Sequence, residues 1–472
     1  MGRCLRILPV PALIALTLAA CAPARAPAPG GRASAPAPTL PPAPKASPLM
    51  EIPAPPARPN GEIARDFMDL MFRTEKGARI LLLSRFEGPL GVALGPGGPP
   101  SASGDLDRLL ARLRREAGLD IRRARAIPPA ASGPAPASIS IEFIPAARFR
   151  NRAPNAACFV APGVSSWREY RRKRSGWAGM VRRSRMAIFI PTGQSGQETR
   201  DCLHEEIAQA LGPPNDLYRL ADSTFNDDNL QTTLTGFDML ILRALYAPEL
   251  HSGMPAQAVE ARLPALLARL NPGGEGSGMA LLPPPTPRAW HQAIERAIGA
   301  GGRAAPKARR IEAARQAVAI ARRAGLHDGR LALSLLALGR VSLRSDPARA
   351  EAALEEALAL YGSTPANSAP AAHALWQLAV LALSRGQWQR AESLAARAEQ
   401  GARQSANAAL LSDLLLIRAE ALARTGRGET ARRLRLDSAR LARYGFASAR
   451  EIRRRAREIG AIASEGSHRE GT

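Results

Sequence analysis

Apolar residues recur at two spacings in the first half of the chain. In residues 61–73 they fall at Ile63, Phe67 and Leu70, a spacing typical of an amphipathic helix. Residues 137–146 alternate apolar and polar positions, as a half-buried strand does. Further predicted elements are a short strand at 89–94, a helix at 104–118, a strand at 185–193 and a helix at 200–212. This order predicts an α+β domain over residues 61–260.

The second half, residues 289–462, is alanine-rich and nearly all helix-forming. Three of its segments align on Ala350, Ala391 and Ala431, spaced 41 and 40 residues apart. The unit at 375–398 resembles a tetratricopeptide repeat at Ala379, Gly386, Trp388, Ala391 and Ala398. We therefore expect an all-α, tetratricopeptide-like solenoid that offers a platform to protein partners. The alternative is a helical bundle with a purely structural role.

Segments of biased composition separate and flank these two parts. Residues 21–60 are rich in proline and alanine and predict a disordered linker. Residues 261–288 contain many glycines and prolines and predict a hinge. Residues 463–472 are predicted to form a disordered tail.

The N-terminus carries an export signal. Residues 1–20 combine Arg3 and Arg6 with an apolar stretch and small residues, as a signal peptide does. The end of this segment, Leu18-Ala19-Ala20-Cys21, resembles the lipobox of bacterial lipoproteins. The resemblance implies a lipid on Cys21, and Ala22 after it favours the periplasmic face of the outer membrane. The alternative is a plain signal peptide with a chance cysteine.

The chain is strongly basic, with 65 Lys+Arg against 41 Asp+Glu and a formal charge of +24. An exported protein does not ordinarily meet nucleic acid, so anionic lipid headgroups or envelope polymers are the expected partners. Residues 167–185, which mix aromatic residues with arginines, are a candidate contact. The alternative is a solvated, arginine-rich surface. In an oxidising compartment, Cys158 and Cys202 are expected to form a disulfide, and two independent buried thiols are the alternative.

Residues 202–216, CLHEEIAQALGPPND, are close to the helix of a zinc protease. Such a helix needs two histidines four residues apart and a glutamate after the first. His204 precedes a glutamate, but the residue four positions later is Ala208. If the protease motif is aligned one residue later, Glu205 and Gln209 stand at the two histidine positions and share a helix face. Glu206 then occupies the position of the general base. Glutamates here can also be ordinary surface residues.

The same stretch resembles the long zinc motif of the metzincins, especially the matrixins. Glu205, Gln209 and Asn215 stand where that family has three histidine ligands, and Phe225 falls near the methionine of its Met-turn. Residues 61–260 more closely resemble the bacterial family named domain of unknown function 2927. CLHEEIAQALGPPNDL, STFNDD and LRALYAPELHSGM carry this resemblance. It implies a zincin-like fold and no established activity.

Oxygen ligands argue against a conventional zinc site. Catalytic zinc prefers imidazole and thiolate, whereas Glu205, Gln209 and Asn215 offer only oxygen and suit Ca²⁺ or Mg²⁺ if any metal. We expect no cofactor, with a divalent metal as the alternative. The sequence thus predicts a lipid-anchored envelope scaffold with a non-catalytic, metzincin-like domain. The alternative is an envelope peptide hydrolase with Glu206 as general base.

Overall fold

The structure is a computed structural model of the 472-residue chain. It describes residues 41–56, 58–74, 77–125, 137–173, 175–177, 179–275, 284–299, 305–362 and 367–470. The predicted signal peptide, Cys21 and the linker up to residue 40 lie outside the described residues. Within the described part, no helix is both long and apolar enough to cross a membrane. Residues 40–472 form one compact unit.

A five-stranded sheet forms the centre of the N-terminal half. The strand order is β2-β1-β3-β5-β4, and β4 alone runs antiparallel to its neighbour. Strand β5 is buried on both faces, which explains the continuous apolar run in its sequence. Strand β3 alternates serine with isoleucine, but Ser138 and Ser140 are buried as well, so it is not the half-buried strand that its sequence predicts. The strands are β1 (Leu90–Leu94), β2 (Ile121–Arg123), β3 (Ser138–Ile144), β4 (Phe159–Pro162) and β5 (Arg185–Pro191).

Eight helices accompany this sheet in the described residues. The motif helix, α5, directly follows β5 and begins with a capping box in which Ser195 and Glu198 exchange hydrogen bonds. The helices are α1 (Asn60–Phe72), α2 (Ala102–Ala117), α3 (Ala146–Arg152), α4 (Trp167–Tyr170), α5 (Gly196–Leu211), α6 (Gly236–Leu245), α7 (Ala256–Glu260) and α8 (Leu263–Leu270).

Helix α8 corrects the predicted boundary between domain and hinge. Leu263, Leu266 and Leu267 are buried in the same apolar core as the sheet, so the first domain continues to about residue 270. The sequence placed the hinge at 261–288. Pro264 lies in the first turn of α8, where a proline costs no hydrogen bond.

The C-terminal half consists of nine stacked helices in the described residues, which confirms the predicted α+β domain followed by an all-helical half. Alanines such as Ala350, Ala391 and Ala431 are fully buried where helices approach closely. The helices are α9 (Arg288–Ile298), α10 (Lys307–Arg323), α11 (Gly329–Ser342), α12 (Pro347–Tyr361), α13 (Ser368–Ser384), α14 (Trp388–Gln404), α15 (Ala408–Arg424), α16 (Gly428–Gly445) and α17 (Ala449–Glu470).

Helix α17 also replaces most of the predicted disordered tail. Ala463 is fully buried, and Gly466 lies so close to the Leu383 carbonyl that a Cβ would stand 2.4 Å from its oxygen. Small residues three positions apart share one helix face and let α17 approach α13 closely. The polar composition of residues 463–472 did not reveal this face.

The end of the predicted linker lies in the seam between the two halves. The Ile52 N–H donates to the Gln404 carbonyl (3.0 Å), and the Ser47 N–H donates to Asp105 Oδ1 (2.7 Å). Residues 41–56 thus contact both halves, which differs from the disordered linker expected over residues 21–60. Backbone hydrogen bonds hold this segment, and composition does not report them.

Helix α5 also joins the two halves. Arg200 is buried and donates from Nη1 to the Ala406 carbonyl (2.6 Å), and Gln197 Nε2 donates to Asn407 Oδ1 (2.9 Å). At the first residue of α5, a Cβ on Gly196 would meet the Tyr444 ring at 2.6 Å. The N-terminal half of α5 is therefore packed directly against the helical half.

The opposite end of α5 is closed by Arg183, whose residue exposure is 2%. Its guanidinium donates to the carbonyls of Gln209 (2.7 Å), Ala210 (2.8 Å) and Gly212 (2.5 Å). A helix leaves its last carbonyls without internal partners, and here one side chain satisfies three of them. Burial lowers the pKa of Arg183 to about 10, so the group stays cationic near neutral pH and complements the helix dipole.

Replacement of Arg183 tests this arrangement. We expect Arg183→Ala to lower the free energy of unfolding by about 3 kcal/mol or more, because buried carbonyls lose their donors. The exposed neighbour Arg182 donates only to the Glu87 carbonyl at 3.3 Å, so Arg182→Ala should cost less than about 0.5 kcal/mol. Chemical denaturation of the full chain measures both values. Equal effects of the two substitutions would contradict the role given to Arg183.

Candidate functional site

An open cleft of about 830 Å³ lies between α5 and the edge strand β4. Main-chain and side-chain atoms of residues 155–162 form one wall, and the C-terminal half of α5 forms the other. The aromatic residues at its border are Tyr170 and Trp177. The polar side chains from α5 and the following loops are Glu205, Glu206, Gln209, Asp216, Asp227 and Asn229.

A disulfide joins the two walls. Cys158, just before β4, bonds to Cys202 in α5, with an S–S distance of 2.04 Å and a Cα–Cα distance of 6.0 Å. The two cysteines are therefore not independent thiols. Cys158 lines the cleft, and its bond to Cys202 holds the start of β4 close to α5.

The outer edge of β4 carries free main-chain groups at Val160. Phe159 and Ala161 pair with β5, and the Gly163 N–H donates to the Arg185 carbonyl in the same register. In an antiparallel ladder the residue between two such pairs directs its N–H and C=O to the other side. Among the described residues, none pairs with Val160 on that side. The cleft therefore has a strand edge ready for pairing.

The structure brings together only part of the predicted ligand set. Glu205, Glu206 and Gln209 line the cleft, as their shared helix face requires. Asn215 does not line it, because its Nδ2 donates to the Asp69 carbonyl (2.9 Å) and its side chain is buried. The next residue, Asp216, faces the cleft instead and accepts a hydrogen bond from Gln209 Nε2 (2.9 Å).

The sequence does not predict that Asp216 lines the cleft. Helical spacing fixes side-chain direction only up to the end of α5, and beyond it the motif spacing alone favoured Asn215. Pro213 and Pro214 follow the helix in irregular backbone, where spacing does not show which of the next two residues faces the cleft.

The donors in the cleft do not fit zinc. The Cys158 sulfur and carboxylate oxygens of Glu205 and Glu206 lie within 4.8 Å of one another. A thiolate is the sulfur form that binds metal, and the Cys158 sulfur is bonded to Cys202. The remaining donors are oxygens, whereas catalytic zinc sites usually include histidine.

The part of the chain that forms the cleft matches a protein family. Residues 60–265 match the family described as protein of unknown function (DUF2927). The match begins at the first residue of α1 and ends inside α8, and it includes the whole cleft wall of α5 and β4. No curated protein and no solved structure matches the chain significantly.

His204 is buried and does not line the cleft. Its Nδ1 accepts a hydrogen bond from the Leu234 N–H (3.1 Å), and its Nε2 lies 3.6 Å from Glu51. Burial, with the nearby cations Arg200 and Arg112, lowers the pKa of His204 well below its usual value. His204 therefore connects α5 to a neighbouring loop as a neutral group.

Four carboxyl groups line the cleft, those of Glu205, Glu206, Asp216 and Asp227. No lysine or arginine is among the described residues that line it. Burial raises the pKa of Asp227.

His204 should make stability depend on pH. The unfolded chain protonates a histidine near pH 6.5, whereas the folded chain keeps His204 neutral to lower pH. The unfolded state then binds more protons as the pH falls below about 6.5, and the free energy of unfolding decreases. His204→Asn retains an acceptor for Leu234 and should reduce this slope by up to about 1.4 kcal/mol per pH unit.

Denaturation curves of the full chain between about pH 7 and 5 measure the slope. His251 is exposed, and His251→Asn is the matched control, with the slope of the unchanged protein. If His204→Asn kept that slope as well, the buried, neutral state assigned to His204 would be wrong.

Proposed function

We propose that this chain is a lipid-anchored cell-envelope protein that binds other molecules without catalysing a reaction. Its DUF2927 domain, zincin-like in this proposal, holds an extended cationic peptide in the cleft between α5 and β4. Its helical half is a tetratricopeptide-like platform for a protein partner. The observation that carries the proposal is the placement of Glu205, Glu206 and Asp216 opposite the free edge of β4.

A peptide can use this cleft in two ways at once. Its main chain can add a strand to β4 by pairing with the N–H and C=O of Val160, which supplies affinity without sequence preference. Its lysine or arginine side chains, or a free amino group, can then reach the carboxylates of Glu205 and Glu206. Main-chain pairing and charge together favour an extended, basic peptide.

The helical half offers a second surface. A groove of about 580 Å³ lies between α12, α13 and α14. Apolar and small residues such as Leu358, Ala371 and Leu375 form much of its wall, with Glu355 and Arg397 also lining it. Such a groove suits a segment of a partner protein.

The anchor and the location in this proposal rest on the sequence. A lipid on Cys21 would hold the protein at the periplasmic face of the outer membrane. Residues 41–56 lie in the seam between the two halves, so a tether from Cys21 would enter the folded part at that seam. Nucleic acid is not a partner in this proposal.

Peptide binding tests the proposal. A fluorescent, lysine-containing peptide of about six residues is titrated with the full chain in detergent, and anisotropy reports binding. Glu205→Gln/Glu206→Gln should weaken binding about tenfold or more, because two cleft charges are lost. The control, Glu429→Gln/Glu465→Gln, removes two exposed carboxylates elsewhere and should leave binding unchanged. If both variants lost peptide affinity equally, the loss would reflect net charge alone, and the proposed binding site in the cleft would be wrong.

A metal-assisted peptide hydrolase is the second candidate function. It is favoured by the proximity of Glu205 and Glu206, whose carboxylate oxygens lie within 4.8 Å of each other. In this candidate Glu206 is the general base that takes a proton from water. Glu205, Gln209 and Asp216 then supply oxygen ligands for a divalent cation, with Asp216 in place of Asn215.

Metal content separates the two candidates. We expect elemental analysis to find no stoichiometric metal in the purified full chain or in its Glu206→Ala and Gln209→Ala variants. The peptide should be recovered intact by mass spectrometry after incubation. A stoichiometric metal that is lost in Gln209→Ala, together with cleaved peptide, would favour the hydrolase and contradict the binding protein.

A further inference from the structure

A second pocket, of about 400 Å³, lies beside the cleft on the face formed by α3 and α4. Its lining residues are Arg148, Asn151, Arg152, Trp167 and Arg171. All three arginines are exposed, and no ion pair links any of them to a carboxylate among the described residues. Three guanidinium groups around one pocket repel one another, and a bound anion relieves this repulsion.

The nearby carboxylates are engaged by other groups. Glu169 binds Lys173 (2.7 Å) and accepts from the Ser165 N–H (2.9 Å). Glu142 lies beneath α4 and accepts from the Trp167 N–H (3.2 Å). Neither lines the pocket. Arg150, Arg168 and Arg172 are also exposed but do not line the pocket.

Tyr170 lies where the pocket meets the cleft. Tyr170 lines the cleft, and the Arg152 guanidinium lies over its ring at 5.5 Å from the centroid. Trp167, in the pocket, is 5.6 Å from Tyr170. Tyr170 also contacts Phe159 of β4, with ring centroids 5.2 Å apart. Tyr170 thus contacts residues of the arginine-lined pocket and also lines the cleft that holds the carboxyl groups.

We propose that the pocket bounded by Arg148, Arg152 and Arg171 binds a carboxylate of the same peptide whose cationic group lies in the cleft. Guanidinium groups recognise a carboxylate through paired, charge-assisted hydrogen bonds. The Asn151 side chain adds an amide that donates to oxygen. The ligand is therefore a zwitterionic peptide, with an ammonium group for Glu205 and Glu206 and a carboxylate for the arginines. This inference rests on the proposed function of the cleft.

Paired peptides test the inference. Lysine-containing peptides of about four to eight residues are made with either a free C-terminal carboxylate or a C-terminal amide. We expect the full chain to bind the best carboxylate peptide about tenfold more tightly than its amide. Arg148→Gln/Arg171→Gln should abolish this preference and leave the affinity for the amide unchanged. The control, Arg150→Gln/Arg172→Gln, removes the same charge outside the pocket and should keep the preference.

The outcomes distinguish a failure of the arginine pocket from a failure of the proposed peptide-binding function. If carboxylate and amide bind equally at every length, and Glu205→Gln/Glu206→Gln still weakens both, the cleft binds peptide and the arginine pocket does not. If the control loses the preference as fully as Arg148→Gln/Arg171→Gln, general charge explains it and the pocket is overturned. If no peptide binds, the proposed function and this inference both fail.

Discussion

The C-terminal end of α5 is buried, and a buried helix end must find donors for its last carbonyls. Arg183, two residues before β5, supplies them and is itself buried. This contact fixes α5 against the sheet at the level of Gln209, next to the cleft carboxylates. The position of the acidic wall therefore depends on a cation that does not line the cleft.

The N-terminal end of α5 contacts the helical half of the protein. Arg200 and Gln197 reach the loop between α14 and α15, and the preceding segment of residues 41–56 fills the seam beside them. His204, in the middle of the helix, lies 3.6 Å from Glu51 of that segment. One helix thus contacts the sheet, the seam segment and the helical half.

The sequence pattern predicted the longer strands and helices, but it did not predict the short or irregular segments. Strand β3 follows from alternation, β5 from a continuous apolar run and helix α5 from helical spacing, each over several residues. Strand β4 has four residues and ends at Pro162, so no pattern marks it, although it forms half of the cleft. The choice between Asn215 and Asp216, and the seam segment, depend on tertiary contacts that local spacing does not encode.

The central claim is that the free edge of β4 pairs with a basic peptide held by the carboxylates of α5. Hydrogen exchange of the Val160 amide, followed with and without a saturating lysine-containing peptide, tests it most directly. The account predicts that the peptide slows this exchange, because the amide gains a hydrogen-bond partner. Unchanged exchange at Val160 while the peptide is bound would show that the strand edge is not the binding surface.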